Sequence, residues 1–293
     1  MMHHRRIGHA DVFNITELIG PTHDPAMLYP ALPTADLAAL VPRLAPAHYA
    51  PGIGRLVIGF QIWVVRLGSE VIVVDTGIGN AKPRGLPRFN RLNTLTPAWL
   101  AAAGAAPEQV TQVVMTHLHG DHIGGNTVPD GDSWKPAFPN ARYLAPKADF
   151  DFWMPRWEAA KGVGETEALT DSIAPLVEAG RLEFYDSGAE IAPGLGAQAA
   201  PGHTPGMMRL NLSSDGARGV FCADIFHSVL QILRPDINTA IDVLQDVARQ
   251  TRADFLAEVA DTGTLIMPCH FGEPHCGTVA REGEGFRFVP EGA

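Results

Sequence analysis

The residue types best able to do chemistry lie in one short segment, Thr116–Gly125, with the sequence Thr-His-Leu-His-Gly-Asp-His-Ile-Gly-Gly. It brings three imidazoles and one carboxylate close together, and their polar atoms need partners if they are buried. In an extended or turning backbone, residues two apart project to the same side, so His117 and His119 can bind one metal ion together. If the chain then turns into a helix, Asp121 and His122 can begin a second metal site. The spacing therefore predicts a metal centre rather than a solvated histidine-rich loop.

Three later segments place further metal-ligating side chains just after short β-type runs. His203 lies in Gly-His-Thr-Pro-Gly, Asp224 follows Ala223, and His270 follows Cys269. Because the ends of strands are where a sheet gathers distant residues, we expect these segments to meet the first one. The candidate ligands are then five histidines and two aspartates: His117, His119, Asp121, His122, His203, Asp224 and His270.

The elements that must position these residues alternate between β-type runs and helical segments. The apolar run at 112–115 predicts a buried strand that leads into the first segment, and the runs at 55–67 and 70–74 predict a hairpin. A long helix is predicted from about Thr239 to Ala260. Strands and helices followed by strands and helices again predict an α/β (α+β) fold with two sheets face to face and helices outside.

We expect the 293 residues to form a single domain over residues 1–293. Within it, residues 1–54 are predicted to be an N-terminal strand over 7–19 and an irregular, proline-rich arm. Residues 156–170, which are polar and contain glycine, are predicted to be an insertion that follows a helix ending at Pro155.

Composition and charge exclude several classes of partner. The net charge of −10 would repel a polyanion, so no nucleic acid partner is expected. No run reaches the ~18 to 20 apolar residues of a membrane span. Three cysteines do not indicate a disulfide framework, and the first residues lack the apolar region of a secretory signal, so we expect a cytoplasmic protein.

The motif order His-x-His-x-Asp-His, Gly-His-Thr-Pro-Gly, Ala-Asp and a late histidine resembles the metallo-β-lactamase-fold hydrolase superfamily. The resemblance runs from Asp75 to His270 and implies an αββα four-layer sandwich with a dinuclear site at the sheet edge. The ligand roles that it implies are His117, His119 and His203 on one metal, Asp121, His122 and His270 on the other, and Asp224 bridging both. Within the superfamily, the segment at 148–153 and the ending at 282–290 are similar to the methyl parathion hydrolase and lactonase-like members.

The chemistry of such a site can be stated from its ligands. Two divalent ions would share a hydroxide nucleophile at neutral pH and stabilise an anionic transition state. Nitrogen and oxygen ligands without thiolate favour Zn²⁺, with Mn²⁺, Fe²⁺, Co²⁺ or Ni²⁺ left open. Asp121 is predicted both to bind a metal and to orient the hydroxide.

We therefore predict a dinuclear metal hydrolase that cleaves a lactone or a carboxylic ester, with a phosphotriester of the methyl parathion type as the alternative. A thioesterase acting on glutathione thioesters is disfavoured because the chain has few basic residues. A non-hydrolytic metal or redox protein is disfavoured because the first motif lacks the glutamate of the diiron members. The expected substrate is small and neutral or apolar, and a homodimer is left open.

Several other side chains have two interpretations. His227 could protonate a leaving group or hydrogen-bond a carbonyl, or be a structural histidine at a helix start. Asp75 is predicted to hold the tautomer of a ligand histidine, with a plain turn residue as the alternative. A set of aromatic residues could form a substrate pocket or simply pack: Phe89, Phe152, Trp153, Trp157 and Phe226. The remaining reactive types, Cys222, Cys269, His275 and Cys276, are interpreted as buried thiols in the first two cases and as loop residues in the last two.

Overall fold

Within residues 1–291, which the computed structural model describes, the chain forms seventeen β-strands and nine α-helices. The strands are β1 Met2–Ile7, β2 Ala10–His23, β3 Tyr49–Ala50, β4 Arg55–Leu67, β5 Glu70–Val74, β6 Gln112–Val114, β7 Thr127–Asp130, β8 Ser133–Pro136, β9 Arg142–Pro146, β10 Leu182–Tyr185, β11 Glu190–Ala192, β12 Leu195–Ala199, β13 Met208–Ser214, β14 Ala217–Ala223, β15 Leu265–Pro268, β16 Gly277–Glu282 and β17 Gly285–Pro290. The helices are α1 Pro25–Leu28, α2 Thr34–Leu44, α3 Thr96–Ala102, α4 Gly120–Ile123, α5 Lys147–Ala160, α6 Glu167–Ser172, α7 Ala174–Glu178, α8 Leu230–Leu233 and α9 Gln245–Val259.

The strands form two large sheets and one small hairpin. The first sheet has the order β1-β2-β4-β5-β6-β9-β10, with β3 also pairing with β4, and the second runs in chain order from β11 to β17. Strands β5, β6, β9 and β10 are parallel to one another, and β14 is parallel to β15, while the other pairs in these sheets are antiparallel. The hairpin of β7 and β8 stands apart from both sheets.

Side chains that alternate along the central strands divide the core into layers. On β5, Ile72 and Val74 pack between the two sheets against residues such as Phe221 of β14, whereas Val73 belongs to the cluster on the outer face of the first sheet. This alternation follows from the two-residue period of a strand and lets both faces of a central strand be buried.

Helices cover both outer faces. Trp153 of α5 and Leu169 of α6 pack on the first sheet, and Phe255 and Leu256 of α9 lie in a cluster with Cys222 of β14 in the second sheet. The layers are therefore helix, sheet, sheet and helix, which confirms the predicted αββα sandwich. No helix among the 291 described residues has the length and apolar composition to cross a membrane.

The N-terminal strand predicted over residues 7–19 is a hairpin in the structure. β1 and β2 pair antiparallel and turn at Gly8, whose φ of +58° is a conformation that glycine adopts without strain. The sequence pattern also missed β16 and the hairpin of β7 and β8, whose strands are short and largely polar.

Two predicted helix boundaries are wrong for identifiable reasons. Helix α9 begins at Gln245 rather than Thr239, because the Asp242 side chain accepts a hydrogen bond from the Thr239 N–H and holds a turn there. Helix α5 continues through Pro155 to Ala160. Pro155 has no N–H to donate to the carbonyl of Asp151, four residues earlier. Asp151 is exposed, so water can donate a hydrogen bond to that carbonyl instead.

Four strands end at the same edge of the sandwich and lead into the segments singled out above. Asp75 follows β5, and the Thr116–Gly125 segment follows β6 after one residue. Asp224 directly follows β14, and His270 lies two residues beyond the end of β15. Because β5 is parallel to β6 and β14 is parallel to β15, their carboxyl ends gather these residues at one place.

Candidate metal centre

The first group of imidazoles comes from two segments that are far apart in the chain. His117 and His119 lie in the loop after β6, and His203 lies between β12 and β13. One nitrogen from each lies within 4.8 Å of the others, and His119 Nδ1 is 2.8 Å from His203 Nε2. His117 and His203 are almost completely buried, so these nitrogens converge away from bulk solvent.

The second group combines a carboxylate with two imidazoles. Asp121 and His122 lie in the short helix α4, and His270 lies beyond β15; their ligating atoms again fall within 4.8 Å. The side chain of Asp121 is 24% exposed, so its carboxylate can be reached from outside. By contrast, His122 and His270 are buried.

Asp224 lies between the two groups. Its Oδ2 is 3.1 Å from His270 Nε2 and 3.3 Å from His203 Nε2, and its Oδ1 is 3.3 Å from His122 Nε2. The seven residues singled out in the sequence therefore meet in one cluster, and their individual roles as ligands stay predictions.

Unpaired atoms test whether these residues suit a metal. His117 Nε2, His122 Nε2 and Asp224 Oδ1 are buried and have no hydrogen-bond partner within residues 1–291. Buried polar atoms are nearly always paired, so three converging lone pairs without partners need another explanation. Divalent cations between imidazole and carboxylate ligands would satisfy them, so the residues fit two such ions.

The other nitrogen of most of these histidines is held by a fixed partner. Asp75 Oδ2 is 2.8 Å from His122 Nδ1, so Asp75 contacts a candidate ligand as expected, and its role in holding the tautomer stays a prediction. The carbonyl of Gly59 accepts a hydrogen bond from His270 Nδ1 at 2.9 Å. Such contacts fix the tautomer that leaves Nε2 free for the cluster.

Asp242 is a partner that the sequence analysis missed. Its Oδ1 lies 3.0 Å from His203 Nδ1, and its side chain is completely buried. Burial raises the pKa of Asp242, but the hydrogen bond to His203 and the nearby imidazole of His227 outweigh it and lower the pKa to about 2. The available signal was the turn-forming pattern from Thr239 to Asp242, which was assigned to a helix instead.

Asp149 was also missed, although it joins two of the loops. Its carboxylate accepts hydrogen bonds from the backbone N–H groups of Leu118 at 2.8 Å and Gly206 at 3.1 Å. Since Leu118 separates His117 from His119 and Gly206 ends the segment that carries His203, this one buried side chain fixes the distance between the two loops.

Burial and neighbouring charges shift the pKa values of the cluster in both directions. Burial, together with the neighbouring His203, lowers the pKa of His119 to about 3. Burial raises the pKa of Asp224, but the imidazoles of His122 and His270 outweigh it and hold the pKa well below its usual range. For His122 and His270, burial lowers the pKa, but the carboxylate of Asp224 outweighs it and the pKa is raised. Neutral imidazole and ionised carboxylate are the forms that bind metals, so a metal ion bound by His122 and His270 would displace protons from them.

A cavity of about 750 Å³ opens over the cluster. Residues at its floor include His119, Asp121, His203, Asp224 and His270. Much of its wall is apolar and comes from the N-terminal arm, from β4 and from the loop between β5 and α3: Met27, Leu28, Ile58, Phe60, Ile78, Leu86 and Phe89. A cavity with reactive groups at its base and apolar walls is the usual form of a small-molecule site.

The candidate aromatic residues divide into two groups. Phe89 and Trp153 line this cavity. Phe226 is completely buried in the core under the second sheet, and Phe152 and Trp157 pack on the outer face of the first sheet. The pocket interpretation therefore applies to two of the five.

His227 lines the cavity beside the cluster. Its ring is stacked on that of His270, with centroids 5.2 Å apart, and its Nε2 lies 3.2 Å from Asp224 Oδ2 without hydrogen-bond alignment. Neither ring nitrogen has a hydrogen-bond partner in the described part of the chain. Its position allows contact with a bound molecule.

The remaining reactive residues are all buried. Cys222, Cys269 and Cys276 are free and buried, as predicted for the first two. His275 lies in a loop, as expected, but it is completely buried and its ring contacts Thr16 and Gln61 through hydrogen bonds.

A family model described as the metallo-beta-lactamase superfamily matches residues 61–270. An N-acyl homoserine lactonase of Bacillus cereus is 25% identical over 173 residues, which are 54% of this chain and 60% of that protein. Another of the same name from a Bacillus species is 28% identical over 169 residues, or 53% of this chain and 59% of the relative. The matched region thus spans about three-fifths of the length of these relatives.

Two solved structures are similar over nearly the whole chain. The dizinc quorum-quenching lactonase AidC, in complex with a product, N-hexanoyl-L-homoserine, is 25% identical with a TM-score of 0.79, covering 100% of this chain and 98% of the other. The hydrolase AbOPH of the beta lactamase superfamily has a TM-score of 0.84 at 24% identity, covering 99% and 97%, and this likeness concerns the fold.

Proposed function

Because the chain belongs to the metallo-beta-lactamase superfamily, we propose that it is a metal-dependent hydrolase that opens a lactone or cleaves a carboxylic ester. The observation that carries the proposal is the convergence of seven ligand-type side chains, Asp224 among them, at the base of an apolar cavity. The names of the lactonase relatives support the choice of a lactone within the wider class of esters.

We assign the ligands by the groups in which they lie. His117, His119 and His203 would hold one divalent ion, Asp121, His122 and His270 a second, and Asp224 would contact both. When bound, the two ions supply Lewis acidity and make water nucleophilic near neutral pH. The nitrogen and oxygen donors favour Zn²⁺, in line with the dizinc relative.

Two side chains of the protein would act on the reacting groups. Asp121 is the only carboxylate of the proposed ligand set with substantial exposure, since Asp224 is 2% exposed, so it is placed to orient the attacking water and accept its proton. His227, with unpaired nitrogens in the cavity wall, would donate a hydrogen bond or a proton to the leaving oxygen.

The cavity also limits the substrate. Its apolar wall would contact an acyl chain or another apolar group, and the net charge of −10 disfavours a highly anionic substrate. A small, neutral ester or lactone satisfies both conditions.

The test is a substrate panel with metal-free protein reconstituted with two equivalents of Zn²⁺. The panel contains N-acyl homoserine lactones, unsubstituted lactones, p-nitrophenyl esters and an aryl phosphotriester. We expect lactones to give the highest kcat/KM and His119→Ala to abolish turnover, while the exposed His9→Ala retains it.

Failure of all four classes with the metals bound would overturn the proposal. A phosphotriester hydrolysed faster than every lactone would instead support the alternative that the sequence left open. Manganese-, iron-, cobalt- and nickel-loaded protein, assayed in parallel, would identify the metal.

A further inference from the structure

Three arginines line the cavity, and they differ in their partners. Arg55 pairs with Asp24 at 2.9 Å, and Arg84 forms two hydrogen bonds to the carboxylate of Asp171. Arg88 has no carboxylate within salt-bridge distance among the 291 described residues. A guanidinium carries five N–H donors, so Arg88 is left with hydrogen-bonding capacity at the cavity wall.

The structure nevertheless holds Arg88 in a defined position. Its Nη2 lies 2.9 Å from His23 Nε2, and its guanidinium carbon lies 4.8 Å from the centroid of the Phe89 ring. Because arginine can only donate, His23 Nε2 must accept, which leaves His23 Nδ1–H to donate to Thr22 Oγ1 at 2.9 Å. Burial and the charge of Arg88 lower the pKa of His23 to about 4, which agrees with a neutral ring.

Two aromatic rings lie between the guanidinium of Arg88 and the imidazole of His270. Phe60 packs edge-on against His270 with centroids 5.3 Å apart, and Phe89 packs edge-on against Phe60 at 5.1 Å. Arg88 then lies over Phe89. Along this path, the rings of Phe60 and Phe89 lie between the guanidinium and His270. A substrate whose reacting bond lies near His270 would therefore meet Arg88 with another of its parts.

We propose that Arg88, oriented by His23 and Phe89, is a specificity-determining residue that donates hydrogen bonds to a second oxygen acceptor on the substrate. This inference rests on the proposed hydrolase function and narrows it. The preferred substrate would then be an ester or lactone that carries, beyond the scissile bond, a carbonyl such as that of an amide. In a wall that is otherwise largely apolar, a charged donor without an ion-pair partner would favour a substrate with that acceptor over one without it.

The experiment compares two lactones of matched chain length, one with an amide carbonyl on the side chain and one with only methylene groups there. In Zn²⁺-loaded protein, Arg88→Met should reduce kcat/KM for the amide lactone by about 10- to 100-fold, chiefly through KM, because a hydrogen bond from a charged group is lost. The lactone without the amide should change by less than about threefold, since it makes no such bond.

Two further variants test the contact. Arg91→Met changes an exposed arginine of the same loop that does not line the cavity, and it should leave both substrates unaffected. Arg88→Lys, which keeps the charge but loses the planar fork, should restore only part of the preference. Equal losses for both lactones, or no loss in Arg88→Met, would overturn the assignment.

A binding measurement separates this inference from the hydrolase function. Calorimetric titration of the metal-loaded protein with an N-acyl homoserine, which carries the same amide, needs no turnover. We expect Arg88→Met to weaken binding about tenfold or more relative to the unaltered protein and Arg91→Met. Unaltered affinity would overturn the role of Arg88 even if hydrolysis is observed, and absent hydrolysis with Arg88-dependent binding would overturn only the proposed function.

Discussion

The proposed site depends on the positions of individual atoms, and the two carboxylate oxygens of Asp224 illustrate this. Its two oxygens lie 3.1 to 3.3 Å from imidazole nitrogens of His122, His203 and His270, which come from three separate loops. His270 Nε2 and Asp224 Oδ2 are hydrogen-bonded, but Asp224 Oδ1 and His122 Nε2 have no hydrogen-bond partner among the described residues. Such buried polar atoms need partners, and a shared pair of cations would provide them.

The carboxylate of Asp121 is the first residue to test. Asp121→Asn keeps the size of the side chain but removes its charge and its ability to accept a proton, so we expect a folded protein with turnover reduced by at least about 100-fold. Steady-state hydrolysis and metal analysis of the same samples measure the effect. Asp151→Asn, on the exposed face of α5, is the matched control, and near-normal activity of Asp121→Asn would contradict the assigned role.

His227 can be tested through the leaving group. If its unpaired nitrogens donate a proton to the departing oxygen, His227→Ala should slow alkyl esters about tenfold more than p-nitrophenyl esters, whose leaving group needs no assistance. The measurement is kcat/KM across a series of leaving groups. Equal losses over the series would exclude proton donation by His227. Hydrogen bonding to the substrate would then be its remaining proposed contact.

At the scale of elements, the loops of the site are held to one another as well as to the sheets. Asp149, at the start of α5, accepts N–H groups from the loop after β6 and from the segment before β13. Gly206 permits this contact, because a Cβ at that position would overlap with the backbone nitrogen of Asp149. A helix on the outer face thus controls the spacing of the first group of imidazoles.

Gly206→Ala should therefore disturb both stability and metal binding. We expect the free energy of unfolding to fall by about 1 to 3 kcal/mol, the usual cost of overpacking, and affinity for the first metal to fall with it. Chemical denaturation and competition with a chelator measure the two effects. Gly52→Ala, where a Cβ would meet no atom within 4 Å, should change neither, and unaltered metal affinity in Gly206→Ala would refute the proposed coupling.

At the scale of the whole molecule, one buried amino group fixes the loop that forms a cavity wall. Lys82 is completely buried, and its Nζ donates to Thr127 Oγ1 at 2.6 Å and to the carbonyl of Asp171 at 3.0 Å. Arg84, two residues on, binds the carboxylate of Asp171. These contacts join the loop between β5 and α3 to β7 and to α6, which also lines the cavity.

Lys82 should make stability depend on pH. Burial lowers its pKa from 10.5 to about 7, despite the opposing effect of Asp171. Between these values the unfolded chain binds one proton more than the folded chain, so the contribution of Lys82 to stability increases with pH, by up to about 1.4 kcal/mol per pH unit.

The free energy of unfolding of the unaltered protein, minus that of Lys82→Met, should then increase from pH 7.5 to pH 9.5. Urea denaturation at fixed metal concentration gives both values. The exposed Lys135→Met provides the reference, because its difference should stay constant with pH. A difference for Lys82→Met that does not vary with pH would show that Lys82 titrates normally.

The local sequence pattern was sufficient to predict the types of the candidate ligands and the elements next to them. The apolar runs before Asp75, Thr116 and Asp224 have the period and composition of buried strands, and such signals lie within a few consecutive residues. The predicted sandwich followed from the order of these elements. The predicted start of helix α9 was wrong because a side-chain hydrogen bond holds a turn there. The hairpin of β1 and β2 was missed because a glycine turn interrupts the predicted strand. At the ends of elements, such local contacts outweigh periodicity.

The sequence by itself determined which side chains could bind metal and which strand ends could present them, because residue type and short-range spacing are local properties. Only the tertiary structure decided that Asp242 and Asp149 hold the ligand loops, and that Arg88 faces the cavity without a carboxylate partner. These relations join residues separated by up to tens of positions and depend on how the packed layers orient each loop. No pattern along the chain specifies that orientation, since it follows from burial of both sheets against each other and against the helices.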